Sequence, residues 1–332
     1  MNQRVFFRFV VATLLAVLAL PSVAQTDAQL SQYFAAPTLY NPAAVGQTDL
    51  LRIRAGARLQ WVGIDNAPQS FLAAGDMPFK IGSKRIGVGL VMNQESAGLY
   101  KSLSMGAQIG YKIKKFGGVW TVALQGGFYD QAFKGSEVFI PGDDDYHDGN
   151  DEAIPTNDIH GTAFDVAAGV WYEHKLFYAG VSCTHLTSPS ITLNAESAGG
   201  GSETSGDRKY QYQAKRTLYF TAGGNIPIKN TLFDIMPSVL VKSDFSFTAA
   251  ELNARVRYRK FLSAGLGYRW NDAVVVTLGA EFKNFYIGYS YDYATSAIHN
   301  ASSGSHELFV GYSMKLDLSD KNRHRHKSVR LM

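Results

Sequence analysis

The feature that most narrows the fold is a two-residue alternation of apolar and polar side chains that recurs along the chain. Over 51–61 the odd positions are Leu51, Ile53, Ala55, Ala57, Leu59 and Trp61, and between them stand Arg52, Arg54, Gly56, Arg58 and Gln60. The same alternation runs through 103–113, 248–258 and 308–318. Weaker versions begin near Phe71, Ile86, Trp120, Phe164, Leu176, Leu218, Phe233, Leu262, Val274 and Phe285. Period two describes a strand with one apolar and one polar face. The segments are mostly about ten residues long, enough to cross a bilayer when tilted and longer than the usual strand of a soluble sandwich.

The connections sort by parity. After odd-numbered strands they run through 62–69, 93–101, 129–161, 187–215, 243–246, 271–272 and 293–305. After even-numbered strands they run through 78–84, 114–118, 173–174, 227–231, 259–260 and 283–284. The first set holds every long loop, and the second holds only short links. Outer-membrane barrels join their strands this way, with short turns in the periplasm and longer loops outside. The expectation is all-β: a transmembrane antiparallel β-barrel of about 14 strands over 47–318, with short periplasmic turns and long extracellular loops.

The ends read differently. Residues 1–24 pair Arg4 and Arg8 with an apolar run and small residues before Gln25, the pattern of a secretory signal peptide. Residues 319–332 form a basic tail, expected in the periplasm. The formal net charge is +4, and the two cations of the leader and the five beyond Asp320 exceed it, so 25–320 carries −3. That excludes a basic body for nucleic acid. The single cysteine excludes a disulfide scaffold and a cysteine-rich metal site. Mean hydropathy lies just below zero, which excludes a bundle of membrane helices. The 32 glycines and 42 aromatic residues then find places, glycines on the inward phase of strands and aromatics at strand ends.

No nucleophile with an oriented base stands out, so no catalytic residue, cofactor or metal is assigned and the chain is expected not to be an enzyme. The acidic loop over 143–152 fails the spacing of a calcium loop and reads as a solvated surface segment. The glycine-rich stretch within 187–215 reads as a flexible extracellular loop.

The inward phase gathers charge: Arg52, Arg54 and Arg58 on the first strand, Glu251, Arg255 and Arg257 near 251–257, then Arg269, Glu281, Asp292 and Glu307. Once a barrel closes, these line one wall. One reading is a charged pathway for ions or a polypeptide. The other is a salt-bridge network filling the interior, which the alternation of opposite signs favours.

Two segments carry a resemblance. Residues 25–46, QTDAQLSQYFAAPTLYNPAAVG, contain Ser31, Gln32, Tyr33, Asn41, Pro42, Ala43 and Gly46. Residues 288–316 contain Tyr291, Asp292, Tyr293, Ser296, Ser303, Gly304, Ser305, His306 and Glu307. This pairing resembles the PorP/SprF family of type IX secretion outer-membrane proteins of Bacteroidota. Asp27-Ala28-Gln29 stands where that family usually has Asp-Pro-Gln. The resemblance implies an outer-membrane component that assists export or surface anchoring of secreted proteins, including gliding adhesins. It implies as partners outer-membrane lipid, a secreted surface protein with a C-terminal sorting domain, and the periplasmic and outer-membrane secretion components. Pro42 and Gly46 break the chain ahead of the first strand, so 25–46 is a pre-barrel segment that either plugs the lumen or docks periplasmic partners. The runner-up function is a passive porin or hydrophobic-compound transporter.

Overall fold

A computed structural model describes residues 27–82, 84–138, 155, 157–195 and 210–316. The signal-peptide segment, the acidic loop over 143–152, the glycine-rich stretch over 196–209 and the basic tail lie outside them.

Among the described residues fourteen strands close on themselves. They are β1 Leu50–Leu59, β2 Gln69–Ile81, β3 Lys84–Ala97, β4 Tyr100–Lys115, β5 Gly118–Phe133, β6 Ile159–Glu173 and β7 Phe177–Thr184. They continue as β8 Thr217–Gly224, β9 Phe233–Ser243, β10 Thr248–Tyr258, β11 Leu262–Arg269, β12 Ala273–Phe282, β13 Phe285–Ala294 and β14 Ser305–Lys315. Every neighbouring pair is antiparallel, and β1 hydrogen-bonds to both β2 and β14, which removes the sheet edges. No described helix is long and apolar enough to cross a membrane, so crossing rests on strands.

The alternation sorts side chains as the period requires. Ile53, Leu90, Met105, Leu124, Leu252, Leu266, Leu278 and Leu308 point outward and are exposed on the outer wall. Their inward neighbours include Arg58, Gln108, Glu251, Asn253, Arg269 and Glu307, all buried. An apolar exterior around a polar interior is the side-chain arrangement of a transmembrane barrel.

Two loop expectations are corrected. Residues 93–101 were expected to connect strands, yet β3 runs to Ala97 and β4 starts at Tyr100, leaving a two-residue turn. Asn93, Gln94, Glu95 and Ser96 are polar on both faces, so the lipid-facing period stops while the backbone ladder continues. The loop over 187–215 is not uniformly irregular. Ser190–Ala195 pairs with Tyr210–Gln213 as a hairpin. Its Ile191, Leu193 and Tyr212 pack on inward-facing Tyr129 and Ile159, with the Tyr129 and Tyr212 rings stacked at 6.1 Å, so the hairpin turns in over the long-loop mouth.

Candidate functional site

The lumen is occupied by the chain's own residues 27–46. Leu30, Tyr33, Ala36 and Tyr40 are buried against Leu72, Ala74, Tyr219, Leu240 and Phe309 of the wall, and Ala43 and Ala44 against Ala123 and Trp171. The local conformation follows from the sequence. Pro37 and Pro42 open single 3-10 turns, where a missing N–H costs nothing. Asn41 caps the second turn, its Oδ1 accepting from the Ala43 N–H at 2.9 Å, while Nδ2 donates to Val170 O at 3.2 Å. Gly46 ends the segment at φ +58°, the left-handed region that favours glycine. Its N–H donates to Asp76 at 2.7 Å and its carbonyl accepts from Lys112.

A buried ion cluster holds the segment at the long-loop end. Register places Arg58 of β1 opposite Glu307 of β14, and Glu251 of β10 opposite Arg269 of β11. Arg58 pairs with Glu307 at 3.2 Å and with Asp292 at 2.8 Å. Arg269 pairs with Glu251 at 2.9 Å, Asp292 at 3.1 Å and Asp272 at 2.9 Å. Asp292 thus bridges the two arginines. Ser31 sits at their centre: its hydroxyl donates to Asp292 at 2.7 Å and accepts from Arg58 at 3.0 Å and Arg269 at 2.7 Å. Glu307 accepts the backbone N–H groups of Ser31 and Gln32 at 2.9 and 2.7 Å. One carboxylate therefore satisfies two buried donors of the plug as well as an arginine.

The remaining candidates take different positions. Tyr33 donates to Ser238 at 3.0 Å, and Arg255 lies over the Phe34 ring at 3.2 Å from its centroid. Burial, reinforced by Glu251, holds the Tyr33 hydroxyl well above its usual value, so it stays a neutral donor. Pro42 is buried in the second turn. Arg52 pairs with Asp76 at 2.8 Å and donates to Ala44 O at 3.3 Å. Arg54 and Arg257 bond to the wall: Arg54 donates to Tyr312 O, and Arg257 pairs with Asp234 at 2.7 Å. His306 does not join the cluster. It is on the outward phase, where Tyr289 lies 2.7 Å from its Nδ1 and the Tyr291 ring stands 5.2 Å away.

A second anchor, which sequence reasoning missed, holds the plug's first residue. His185, just past β7, contacts Asp27 at 3.1 Å and Asp165 at 2.9 Å. Tyr219 donates to Asp27, and Lys242 donates to its carbonyl at 2.9 Å. Burial alone would raise the Asp27 pKa, but His185 and Tyr219 hold it well below the carboxylate range. Burial alone would lower that of His185, but Asp27 and Asp165 push it up to about 10. The imidazolium contribution is therefore full below the free value of 6.5 and fades as pH rises through about 10. The carboxylate contribution is full above 3.8 and fades on acidification. Brief conductance openings in planar bilayers are expected to increase as pH is raised through about 10 in wild type. They should show no such step in His185→Gln; the same step in both would exclude this anchor.

The inward glycines are the seat of the plug. A Cβ at Gly169 would fall on Asn41 Oδ1, and one at Gly180 would lie 2.7 Å from its Nδ2. A Cβ at Gly87 would meet Val45 O, one at Gly89 would stand 2.9 Å from Val45, and one at Gly288 would meet Gln32. Between the plug and the wall remains a small cavity of about 60 Å³, lined among others by Tyr40, Asn93, Glu95 and His185.

Comparison with solved structures finds other barrels at low identity. The toluene transporter TodX of Pseudomonas putida is 10% identical, with TM-score 0.46 over 88% of this chain and 95% of that one. A Pseudomonas aeruginosa FadL homologue is 10% identical, with TM-score 0.44 over 83% and 93%. Acinetobacter baumannii Omp33 is 8% identical, with TM-score 0.40 over 80% and 99%. No curated protein sequence matches. The model of the type IX secretion system membrane protein PorP/SprF matches residues 22–312, taking in the plug, its glycine seat and every residue of the ion cluster. A closed barrel with an apolar exterior places the chain in the outer membrane, and it belongs to the PorP/SprF family of type IX secretion system membrane proteins.

Proposed function

We propose that this barrel is a closed, non-enzymatic outer-membrane partner in type IX secretion, which assists the export or surface anchoring of secreted proteins such as adhesins without conducting solutes through its own lumen. The observation that carries the reading is the occupied lumen: residues 27–46 are held at one end by Ser31 on the Arg58–Asp292–Arg269 bridge and at the other by Gly46 on Asp76. A diffusive porin needs a continuous aqueous path, and here the inward charges are engaged with one another and with the plug. The surfaces left for partners are the long-loop end and the short-turn end.

Planar-bilayer recording and co-purification test it together. Near neutral pH wild type is expected to show no steady conductance, while deletion of 27–46 gives steady channel conductance. Wild type recovered from its native outer membrane should bring down secretion components or a secreted protein with a C-terminal sorting domain. Steady conductance by wild type without such co-purification would favour the passive porin or hydrophobic-compound transporter.

A further inference from the structure

Charge is distributed unevenly between the two ends of the barrel. At the long-loop end, two of the described cations have carboxylate partners: Lys134 pairs with Glu137 at 2.6 Å and Lys215 stands 3.8 Å from Asp244. At the short-turn end, Arg85 pairs with Asp49 and Arg257 with Asp234. Others there have no carboxylate within ion-pairing distance among the described residues. These include Lys84 at the β2–β3 turn, Lys115 at β4–β5, Lys175 at β6–β7, Arg259 and Lys260 at β10–β11, and Lys283 at β12–β13.

Four of these cations share a second feature. Lys84 lies 5.7 Å from the Tyr111 ring centroid, Lys115 5.0 Å from Phe116, Arg259 5.4 Å from Tyr258, and Lys283 5.4 Å from Phe282. The other two cation–ring contacts among the described residues, Arg54–Tyr286 and Arg255–Phe34, are inside the lumen. The four rim rings are exposed, with Phe116 and Phe282 at 75% and 61%. They stand where the strands leave the apolar band, at the level of the interfacial girdle. An aromatic ring favours the boundary between acyl chains and headgroups, and a cation above it keeps its N–H donors at headgroup depth.

We propose that the short-turn rim is a binding surface for anionic phospholipids of the periplasmic leaflet, each ring-backed cation taking one headgroup phosphate. The inference is independent of the secretion reading. An acidic periplasmic protein would also meet positive charge, but the ring-backed cations lie against the outer, lipid-covered wall. That position suits a ligand whose acyl chains pack on the same aromatic.

The test uses the full mature chain in mild detergent, offered equimolar phosphatidylglycerol and phosphatidylcholine, with retained lipids counted by native mass spectrometry. Wild type is expected to prefer phosphatidylglycerol about fivefold or more, since one interfacial cation alone supplies about that factor. The variant K84Q/K115Q/R259Q/K283Q should fall to within about twofold of no preference, while still running as a folded, heat-modifiable band. Should the fourfold variant fail to fold, K84Q/K115Q and R259Q/K283Q are measured separately, each expected to lose about half of the retained phosphatidylglycerol. Lack of preference in wild type, or an undiminished preference in the variants, would overturn the proposal. Rim-dependent capture of soluble polyglutamate in place of lipid would overturn it in favour of an acidic protein partner.

Discussion

Arg269→Met is expected to release the plug from its upper anchor, weakening its hold by about 3–5 kcal/mol, the usual cost of removing one partner from a buried ion pair. Arg269 touches Glu251, Asp292, Asp272 and the Ser31 hydroxyl, and its side chain is 2% exposed. Without it Glu251 has no ion-pair partner among the described residues, and Asp292 keeps its pair with Arg58. Relief comes by letting water in, which requires Ser31 and its neighbours to leave. Maleimide labelling of Ala36→Cys, in a Cys183→Ser background, reads that opening because Ala36 is buried in the plug. The labelling rate should rise about a hundredfold or more over the same reporter with Arg269 intact. Adding Glu251→Met should recover much of the loss, since the orphaned carboxylate goes with it. An unchanged labelling rate in Arg269→Met would mean that the cluster does not hold the plug.

Gly169→Leu should act through space rather than charge. Any Cβ at 169 collides with Asn41 Oδ1, and Gly180 on the neighbouring strand closes the other side, so Asn41 cannot step aside within its pocket. Expelling it costs overpacking of about 1–3 kcal/mol. Loss of the cap on Ala43 and of the bond to Val170 adds about 0.5–2 kcal/mol. The urea midpoint should drop and Ala36→Cys should label faster. Gly126→Ala is the control, because a Cβ there meets only Phe164 at an ordinary 3.4 Å. If Gly169→Leu unfolds and labels like that control, the glycines are not the plug's seat.

Much of the fold is legible in the sequence. Strand number, which phase faces lipid and which end carries the long loops follow from period two and loop lengths, because these are properties of short stretches. The misreading of 93–101 shows the limit of that signal. Alternation reports the environment of side chains, and at the long-loop end both faces of β3 carry polar residues, while backbone hydrogen bonding continues regardless.

The candidate site was legible as residue types and not as contacts. Arg58, Arg269, Asp292 and Glu307 could be placed on the inward phase, and Ser31 in a recognisable motif. The second anchor left little trace: Asp27 stands in the Asp27-Ala28-Gln29 motif, but its partners His185 and Lys242 stand alone in unremarkable stretches. His306 shows the opposite error: it lies inside a motif beside Glu307, yet one residue of register puts it on the other face of the sheet.

By itself the sequence determined that this chain is a barrel with a charged interior, since each strand's two faces are written in its own side chains. Only the tertiary structure decided what that interior holds. Closure of β14 onto β1 brings Glu307 to Arg58 across most of the chain, and the stagger around the ring brings Asp292 between two arginines. The same closure lines up Gly87, Gly169 and Gly288 as hollows for Val45, Asn41 and Gln32. These meetings depend on register summed over fourteen strands, and no local pattern encodes that sum.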